Sequence, residues 1–247
     1  MVDMVTVAQA TQALYYGYKL TKELYEEYLR DSSVVFDNEK ISFEFLLVIR
    51  FKKVFQPKIV ELESKLRKYL SELNFDPRTN IIKIKRNNVE YEFIAFYWMY
   101  TQRIPDFDTL DEEEDIEEDE IMNENFVDNL TLCLIPKITN LDKAHKGRVS
   151  FIAKDILEEI GRKIQENFNI LSWSVKLNIR SNNKLVLKKL LKEIEDKIES
   201  TSARHSEPEE NIEGDIVVSV WDLDAAYIEA LNKVVFRKKS ILDRLKR

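Results

Sequence analysis

Histidine and cysteine, the side chains that most often hold transition metals or act as nucleophiles, are scarce in this sequence. His145 and His205 stand far apart, and the single cysteine, Cys133, lies between Leu132 and Leu134. Zinc sites need closely spaced Cys and His ligands, and a reactive thiol needs a polar, electropositive setting. The pattern therefore predicts no metal site at these residues and an inert, buried thiol at Cys133.

Carboxylates are abundant, but their spacing indicates no acid–base pair. Asp222 and Asp224 follow an apolar strand pattern, and we interpret them as a strand end and a helix N-cap. The sequence has only four glycines, which disfavours the glycine-rich turns that cradle nucleotide phosphates. We therefore expect a protein that is not an enzyme, with no cofactor, no metal and no small-molecule substrate.

The largest concentration of charge is an acidic block between Pro105 and Phe126. It holds twelve carboxylates, and without them 38 basic residues face 33 acidic ones, so the formal charge moves from −7 to +5. Three interpretations are open: a solvated loop, a weak Ca²⁺ or Mg²⁺ site without EF-hand spacing, or an element that docks on a basic surface. The docking interpretation assigns the contact to Glu112, Glu113, Glu114, Glu117 and Glu118.

A basic cluster closes the sequence. Arg237, Lys238 and Lys239 lie close to three further basic residues at 244, 246 and 247. Such a cluster supplies sequence-independent affinity for nucleic-acid phosphates, and it is equally typical of a solvated helix end. Contact with an acidic protein surface, including the acidic block of a sister subunit, is the third interpretation.

The spacing of apolar residues predicts an α+β fold with a mixed or antiparallel sheet and packed helices. Apolar periodicity gives the order α, βαββ, acidic insertion, βαβαβα, and ferredoxin-like wiring can be drawn through residues 41–180. A basic loop is expected at 143–148. The expected helices are 4–30, 57–73, 149–167, 184–198 and 225–245, and the expected strands are 41–55, 80–86, 89–101, 130–138, 171–179 and 216–221.

One hairpin can be predicted in register. Asn87 and Asn88 suit a two-residue type I′ turn, because Asn tolerates positive φ. Residues whose numbers sum to 175 then face each other, which joins opposite charges on one face and apolar side chains on the other. The expected pairs are Lys83 with Glu92, Lys85 with Glu90, Ile84 with Tyr91, and Ile82 with Phe93.

Two segments are apolar beyond what a single buried face requires. The run from Phe93 to Tyr100 is apolar on both faces, so this strand is central in its sheet, or Trp98 and Tyr100 meet a partner. The long helix predicted for 4–30 packs on its own domain, or it is an arm that docks on a neighbouring subunit.

The chain divides into an N-terminal helix at 1–31, a βαββ unit at 32–104, the insertion at 105–126 and a βαβαβα unit at 127–247 with a mobile polar linker at 200–214. No apolar run is long enough to span a membrane, and the N-terminus lacks the pattern of a secretory signal. We therefore expect an intracellular or virion location, with no contact to membranes.

Three classes of function remain. The first is a non-enzymatic structural subunit of a larger assembly, a homo-oligomer that binds other protein subunits, such as the neck, ring or tail connector of a phage particle. The viral element follows from the abundance of Lys, Asn, Ile, Asp and Glu, which often accompanies AT-rich genomes. The second is a nucleic-acid-associated accessory protein that binds through its basic C-terminus. The third is an enzyme whose site residues are scattered along the chain.

Overall fold

Strands with alternating apolar residues form the centre of the molecule, which the computed structural model describes for residues 28–52, 56–103, 126–211 and 214–236. Ten strands form one sheet in the order β3-β4-β5-β6-β2-β7-β10-β8, with β1 paired to β2 and β9 paired to β10. Each pairing is antiparallel. The strands are β1 Val34–Phe36, β2 Glu39–Lys52, β3 Phe75–Asp76, β4 Ile81–Arg86, β5 Val89–Arg103, β6 Phe126–Lys137, β7 Ile170–Ser181, β8 Arg204–His205, β9 Glu209–Glu210 and β10 Ile216–Trp221.

Four helices of the described ranges pack against one face of this sheet, so the predicted α+β class with a largely antiparallel sheet is confirmed. They are α1 Gln56–Glu72, α2 Lys143–Asn167, α3 Lys184–Glu195 and α4 Ala225–Val235, and residues 28–31 are helical as well. Helix α2 contacts β2, β6 and β7 directly and is flanked by α1 and α4. The main core lies between this helix layer and the odd-numbered residues of β2, from Ile41 to Phe51, which are almost fully buried.

The opposite side of the sheet, which we call the second face, carries a smaller apolar cluster. Leu46, Ile94, Cys133 and Ile135 are buried there together with Leu29, and Tyr28, Phe96 and Trp98 pack against them. Strand β5 lies between β4 and β6. The two-sided apolar character of Phe93–Tyr100 is therefore explained in part by a central position and in part by this second cluster.

The predicted hairpin register is confirmed. Lys83 pairs with Glu92, Lys85 with Glu90, Ile84 with Tyr91 and Ile82 with Phe93. Asn87 and Asn88 have φ of 51° and 62°, the left-handed values of a type I′ turn. The Lys83 ammonium lies 2.7 Å from Glu92 and 3.3 Å from Glu90, so both carboxylates share one cation.

The predicted basic loop at 143–148 is wrong, because helix α2 begins at Lys143 rather than at Val149. Asp142 is the N-cap, and its side chain accepts a hydrogen bond of 2.9 Å from the backbone N–H of His145. The cap satisfies a donor that the first helical turn would leave without a partner. Gly147 and the run of basic residues resemble a loop in sequence, yet they occupy the first two turns of the helix.

The segment 200–214, interpreted as a mobile linker, folds back along the sheet in its described part. His205 pairs with Val220, Arg204 with Trp221, and Glu209 and Glu210 pair with the start of β10. Ser206 accepts and donates hydrogen bonds of 2.8–3.0 Å with Ser219, which fastens the segment to β10. The strands β8 and β9 are each two residues long, too short to produce a recognisable alternating pattern in the sequence.

Several expectations concern residues outside the described ranges. They include the N-terminal helix up to residue 27, the acidic block at 105–125 with Glu112, Glu113, Glu114, Glu117 and Glu118, and the basic cluster with Arg237, Lys238 and Lys239. The final helix is described as α4 only as far as Val235. None of the helices in the described ranges is both long and apolar enough to cross a membrane.

Candidate functional site: the second face of the sheet

Three rows of side chains cross the second face from β5 to β7. Strand register fixes their membership, and successive rows are about 7 Å apart because they are two residues apart along each strand. Trp221 of β10 extends the third row beyond β7. We call these thirteen residues the sheet site: Tyr100–Asn129–Arg50–Ser172, Trp98–Thr131–Val48–Ser174, and Phe96–Cys133–Leu46–Lys176 with Trp221.

The charged side chains of the sheet site are both cations. Arg50 is exposed and Lys176 is half-buried, and none of the thirteen residues is a carboxylate. The sheet site is therefore positively charged, although the formal charge of the whole chain is −7. The sheet site is thus suited to an anionic partner.

Lys176 is a cation of the site whose pKa is strongly perturbed. Its ammonium lies 4.6 Å from the centroid of the Trp221 ring, a cation–π contact. Burial, and secondarily the charge of Arg50, lower the pKa of Lys176 to about 8. Both causes make the charged form costly, and a negative partner placed over Lys176 and Arg50 would relieve that cost.

Aromatic side chains form the other half of the site. Phe96 and Trp98 are stacked with ring centroids 5.6 Å apart and planes 20° apart. Burial raises the pKa of Tyr100, whose hydroxyl shares a hydrogen bond with Thr131 and lies near Arg50. Trp98, Tyr100 and Trp221 are each half-buried, so part of each side chain remains accessible to a partner. Flat amphipathic rings of this kind are enriched where proteins bind partners.

Cys133 lies in the third row with its thiol buried. The residue is only 1% exposed, and burial raises the pKa of its thiol well above the ordinary value. The thiolate is the reactive form of cysteine, so this thiol is inert. The predicted burial of the cysteine is confirmed.

The remaining residues considered for chemistry have structural partners. His145 Nδ1 lies 2.6 Å from Asp142, and His205 Nε2 lies 3.4 Å from Glu195. Within the described ranges no three His, Cys, Asp or Glu side chains come close enough together to hold a metal ion. The two histidines thus contact separate carboxylates and do not lie together in one site.

Asp224 is the helix N-cap that the sequence predicts. Its carboxylate accepts hydrogen bonds from the backbone N–H of Tyr227 at 2.8 Å and from Thr201 and Ser202 at 2.7–3.1 Å. Burial by itself would raise the pKa of Asp224, but these bonds lower it to about 2. Asp222 lies outside this network and pairs with Arg204 at 2.9 Å. Asp222 directly follows β10 and Asp224 caps α4, which are the positions predicted from the sequence.

The sheet site contains two of the interaction residues predicted from the sequence, together with Cys133, and adds three charged or aromatic residues that sequence patterns missed. Trp98 and Tyr100 lie in adjacent rows, whereas Arg50, Lys176 and Trp221 became candidates only through the sheet order. Strict alternation in β2 and β7 already places Arg50 and Lys176 on the face away from the main core. The missing information was that β2 and β7 are neighbours.

No family model matches this chain, and neither a curated protein nor a solved structure matches it.

Proposed function

We propose that this protein is a non-enzymatic assembly subunit, and that its sheet site binds the acidic block of another copy. The observation that carries the proposal is the composition of the sheet site: two cations, four large aromatic rings and no carboxylate. The acidic block offers the complement, with twelve carboxylates interrupted by apolar residues. Its apolar residues are Phe107, Leu110, Ile116, Ile121 and Met122.

The two halves of the proposed contact also have suitable positions in the chain. Arg103 and Phe126 pair at the ends of β5 and β6, close to the row that contains Tyr100 and Arg50. The chain between them has 22 residues, from 104 to 125. Both ends of the segment are anchored at this pair, so at roughly 3.3 Å per residue it can extend about 35 Å from the sheet, half its contour length and enough to contact a neighbouring copy. The same reach allows a contact within one chain, which native mass distinguishes.

Matched charge substitutions test this proposal. Replacing Glu112, Glu113, Glu114, Glu117 and Glu118 by Gln should weaken self-association and its dependence on salt. The control replaces five exposed carboxylates elsewhere, namely Glu61, Glu166, Glu199, Glu209 and Glu210. Since both variants lose the same formal charge, a general charge effect would act equally on the two, and equal behaviour of the two would refute the proposal.

Substitutions on the sheet test the other half of the contact. Arg50→Gln combined with Lys176→Gln should reduce association as strongly as the acidic variant does. The control pair, Lys58→Gln with Lys68→Gln, removes two exposed cations from α1, on the opposite side of the sheet. Association that survives the sheet variant unchanged would exclude the sheet site as the docking surface.

A second candidate function is binding of single-stranded nucleic acid on the same face. The specific observation is that cations alternate with aromatic rings, as Lys176 does with Trp221, an arrangement suited to phosphates and stacked bases. The basic cluster at 237–247 would add phosphate contacts. Fluorescence anisotropy with a labelled single-stranded oligonucleotide tests this candidate, and binding that needs Trp221 and Lys176 would favour it over the acidic block.

We also propose a more detailed description of the fold and the location. The neighbours β5, β6, β2 and β7, with α1 and α2 between them along the chain, support ferredoxin-like βαββαβ wiring with β3 and β4 inserted before β5. The proposed location is inside the cell or in a virion, such as a phage neck, ring or tail, in line with the compositional bias. Finding the chain among the proteins of purified particles would test the virion assignment.

A further inference from the structure

A cavity of about 260 Å³ lies beyond the sheet site, where β2 begins and β7 ends. Arg30, Lys40 and Arg180 contribute cations to its wall, and Asp215 contributes one carboxylate. Leu29 adds a small apolar area to the wall, whereas Ile41 lies beneath it with its side chain fully buried. The cavity thus combines an excess of positive charge with an apolar surface in a volume suited to a small ligand.

Arg180 is the buried cation of this cavity. Its side chain is only 13% exposed, and Nε lies 3.1 Å from the carboxylate of Glu44. Asn178 donates a hydrogen bond of 3.2 Å to the other oxygen of Glu44 and accepts one of 2.9 Å from the Ser219 hydroxyl. This chain of contacts holds the guanidinium in one orientation before a ligand arrives, which lowers the entropy cost of binding.

The other two cations come from separate segments that local hydrogen bonds fasten to the wall. The Ser181 hydroxyl donates to the backbone carbonyl of Lys40 at 3.1 Å, which joins β7 to the start of β2. The Ser33 hydroxyl donates to the carbonyl of Arg30 at 2.7 Å and closes the turn after the helical residues. The side chains of Arg30 and Lys40 are exposed at the mouth of the cavity. Even if Glu44 is counted with Asp215, the cations outnumber the carboxylates.

We propose that this cavity binds a phosphorylated sugar or polyol. The phosphate dianion lies against Arg180, Arg30 and Lys40, because guanidinium groups bind phosphate oxygens through paired, charge-assisted hydrogen bonds. Asp215 accepts a hydrogen bond from a hydroxyl group of the ligand, since a carboxylate is an acceptor that repels a second phosphate. The site is separate from the sheet site, so the inference does not depend on the proposed assembly function.

Calorimetric titration at low ionic strength, with inorganic phosphate, ribose 5-phosphate and ribose, tests the proposal. The expected order of affinity is ribose 5-phosphate above phosphate, with no measurable binding of ribose. Arg30→Gln combined with Lys40→Gln should weaken the binding of ribose 5-phosphate at least tenfold, and we expect this variant to fold because both side chains are exposed. The control pair Lys58→Gln with Lys68→Gln should bind as the unmodified protein does.

A second variant tests the contact with the sugar hydroxyl separately from the contact with the phosphate. Asp215→Asn should reduce the preference for ribose 5-phosphate over inorganic phosphate, while phosphate binding stays equal or becomes tighter. Absence of binding by the unmodified protein at millimolar phosphate and ribose 5-phosphate would overturn the proposal. Binding that Arg30→Gln with Lys40→Gln leaves unchanged would overturn it as well, because the anion would then lie elsewhere on the protein.

Discussion

The ammonium of Lys176 lies 4.6 Å from the centre of the Trp221 ring, in a row that also contains Phe96 and the buried thiol of Cys133. A half-buried cation with no carboxylate in its row costs stability, since burial lowers the pKa of Lys176 to about 8. An anionic partner placed over Lys176 and Arg50 would reduce this cost.

Lys176→Met should therefore stabilise the isolated protein at pH 7, by about 1–2 kcal/mol in the free energy of unfolding, because the apolar side chain removes the desolvation cost. Between pH 8 and the ordinary lysine value of 10.5, the unfolded chain binds more protons than the folded one. The stability of the unmodified protein should thus rise with pH over that window, relative to the variant. Urea unfolding of both proteins at pH 7 and about pH 10 measures the difference.

Lys188→Met is the control for this prediction, because the side chain of Lys188 is 52% exposed on α3. Its replacement should change the free energy of unfolding by less than about 0.5 kcal/mol at either pH. A Lys176 variant that is less stable than the unmodified protein at pH 7 would show that the cation–π contact outweighs the cost of burial.

Gly161 of α2 packs closely against side chains of the sheet. A Cβ atom at this position would lie 2.8 Å from Cε3 of Trp173 and 3.2 Å from a methyl group of Leu47. Gly161→Ala should therefore destabilise the protein by about 1–3 kcal/mol, although alanine favours helix. The control in the same helix is Gly147→Ala, whose Cβ would lie 3.8 Å from Asn232 and should be neutral or stabilising. Thermal unfolding compares the two, and equal melting temperatures would contradict the packing described.

The free energy of unfolding should fall at acid pH as Asp224 becomes protonated. Its pKa is about 2 in the folded protein and 3.8 ordinarily, so the stability that its ionised form supplies is present above pH 4 and is lost as the pH falls towards 2. Asp224→Ala should cost about 1 kcal/mol at neutral pH through loss of the N-cap, and should flatten the acid dependence. Asp222→Asn is the control, because it removes only the exposed contact with Arg204 and Asn tolerates the positive φ of 53° at this position. If the acid profile of the Asp224 variant matched that of the unmodified protein, the cap would not be the titrating group.

The sequence predicted local structure better than the arrangement of its parts. The Asn87-Asn88 turn fixed four residue pairs correctly, because turn chemistry and alternating side chains are short-range signals. The start of α2 was missed, since the cap Asp142 is followed by residues that also suit a loop. The position of β2 between β6 and β7 depends on contacts between distant parts of the chain, which no local pattern encodes.

In the candidate site too, local features could be predicted from the sequence but their assembly across strands could not. The aromatic residues Trp98 and Tyr100 were conspicuous in a strand apolar on both faces. Arg50 and Lys176 look like ordinary polar positions within their own strands. Only the pairing of four neighbouring strands shows that they lie beside the aromatic residues of the second face. A charged site built across a sheet therefore becomes visible only when the strand order is known.

Native mass as a function of salt tests the central claim most directly. The chain has a mass of 29.3 kDa, so a monomer and a dimer are easily separated by light scattering coupled to size-exclusion chromatography. Screening weakens the attraction between the acidic block and the sheet site, because the Debye length falls from about 10 Å at 0.1 M salt to about 3 Å at 1 M. We expect an oligomer at the lower salt that dissociates towards the monomer at the higher one. A monomer at both concentrations would contradict the account of this protein as a self-assembling subunit.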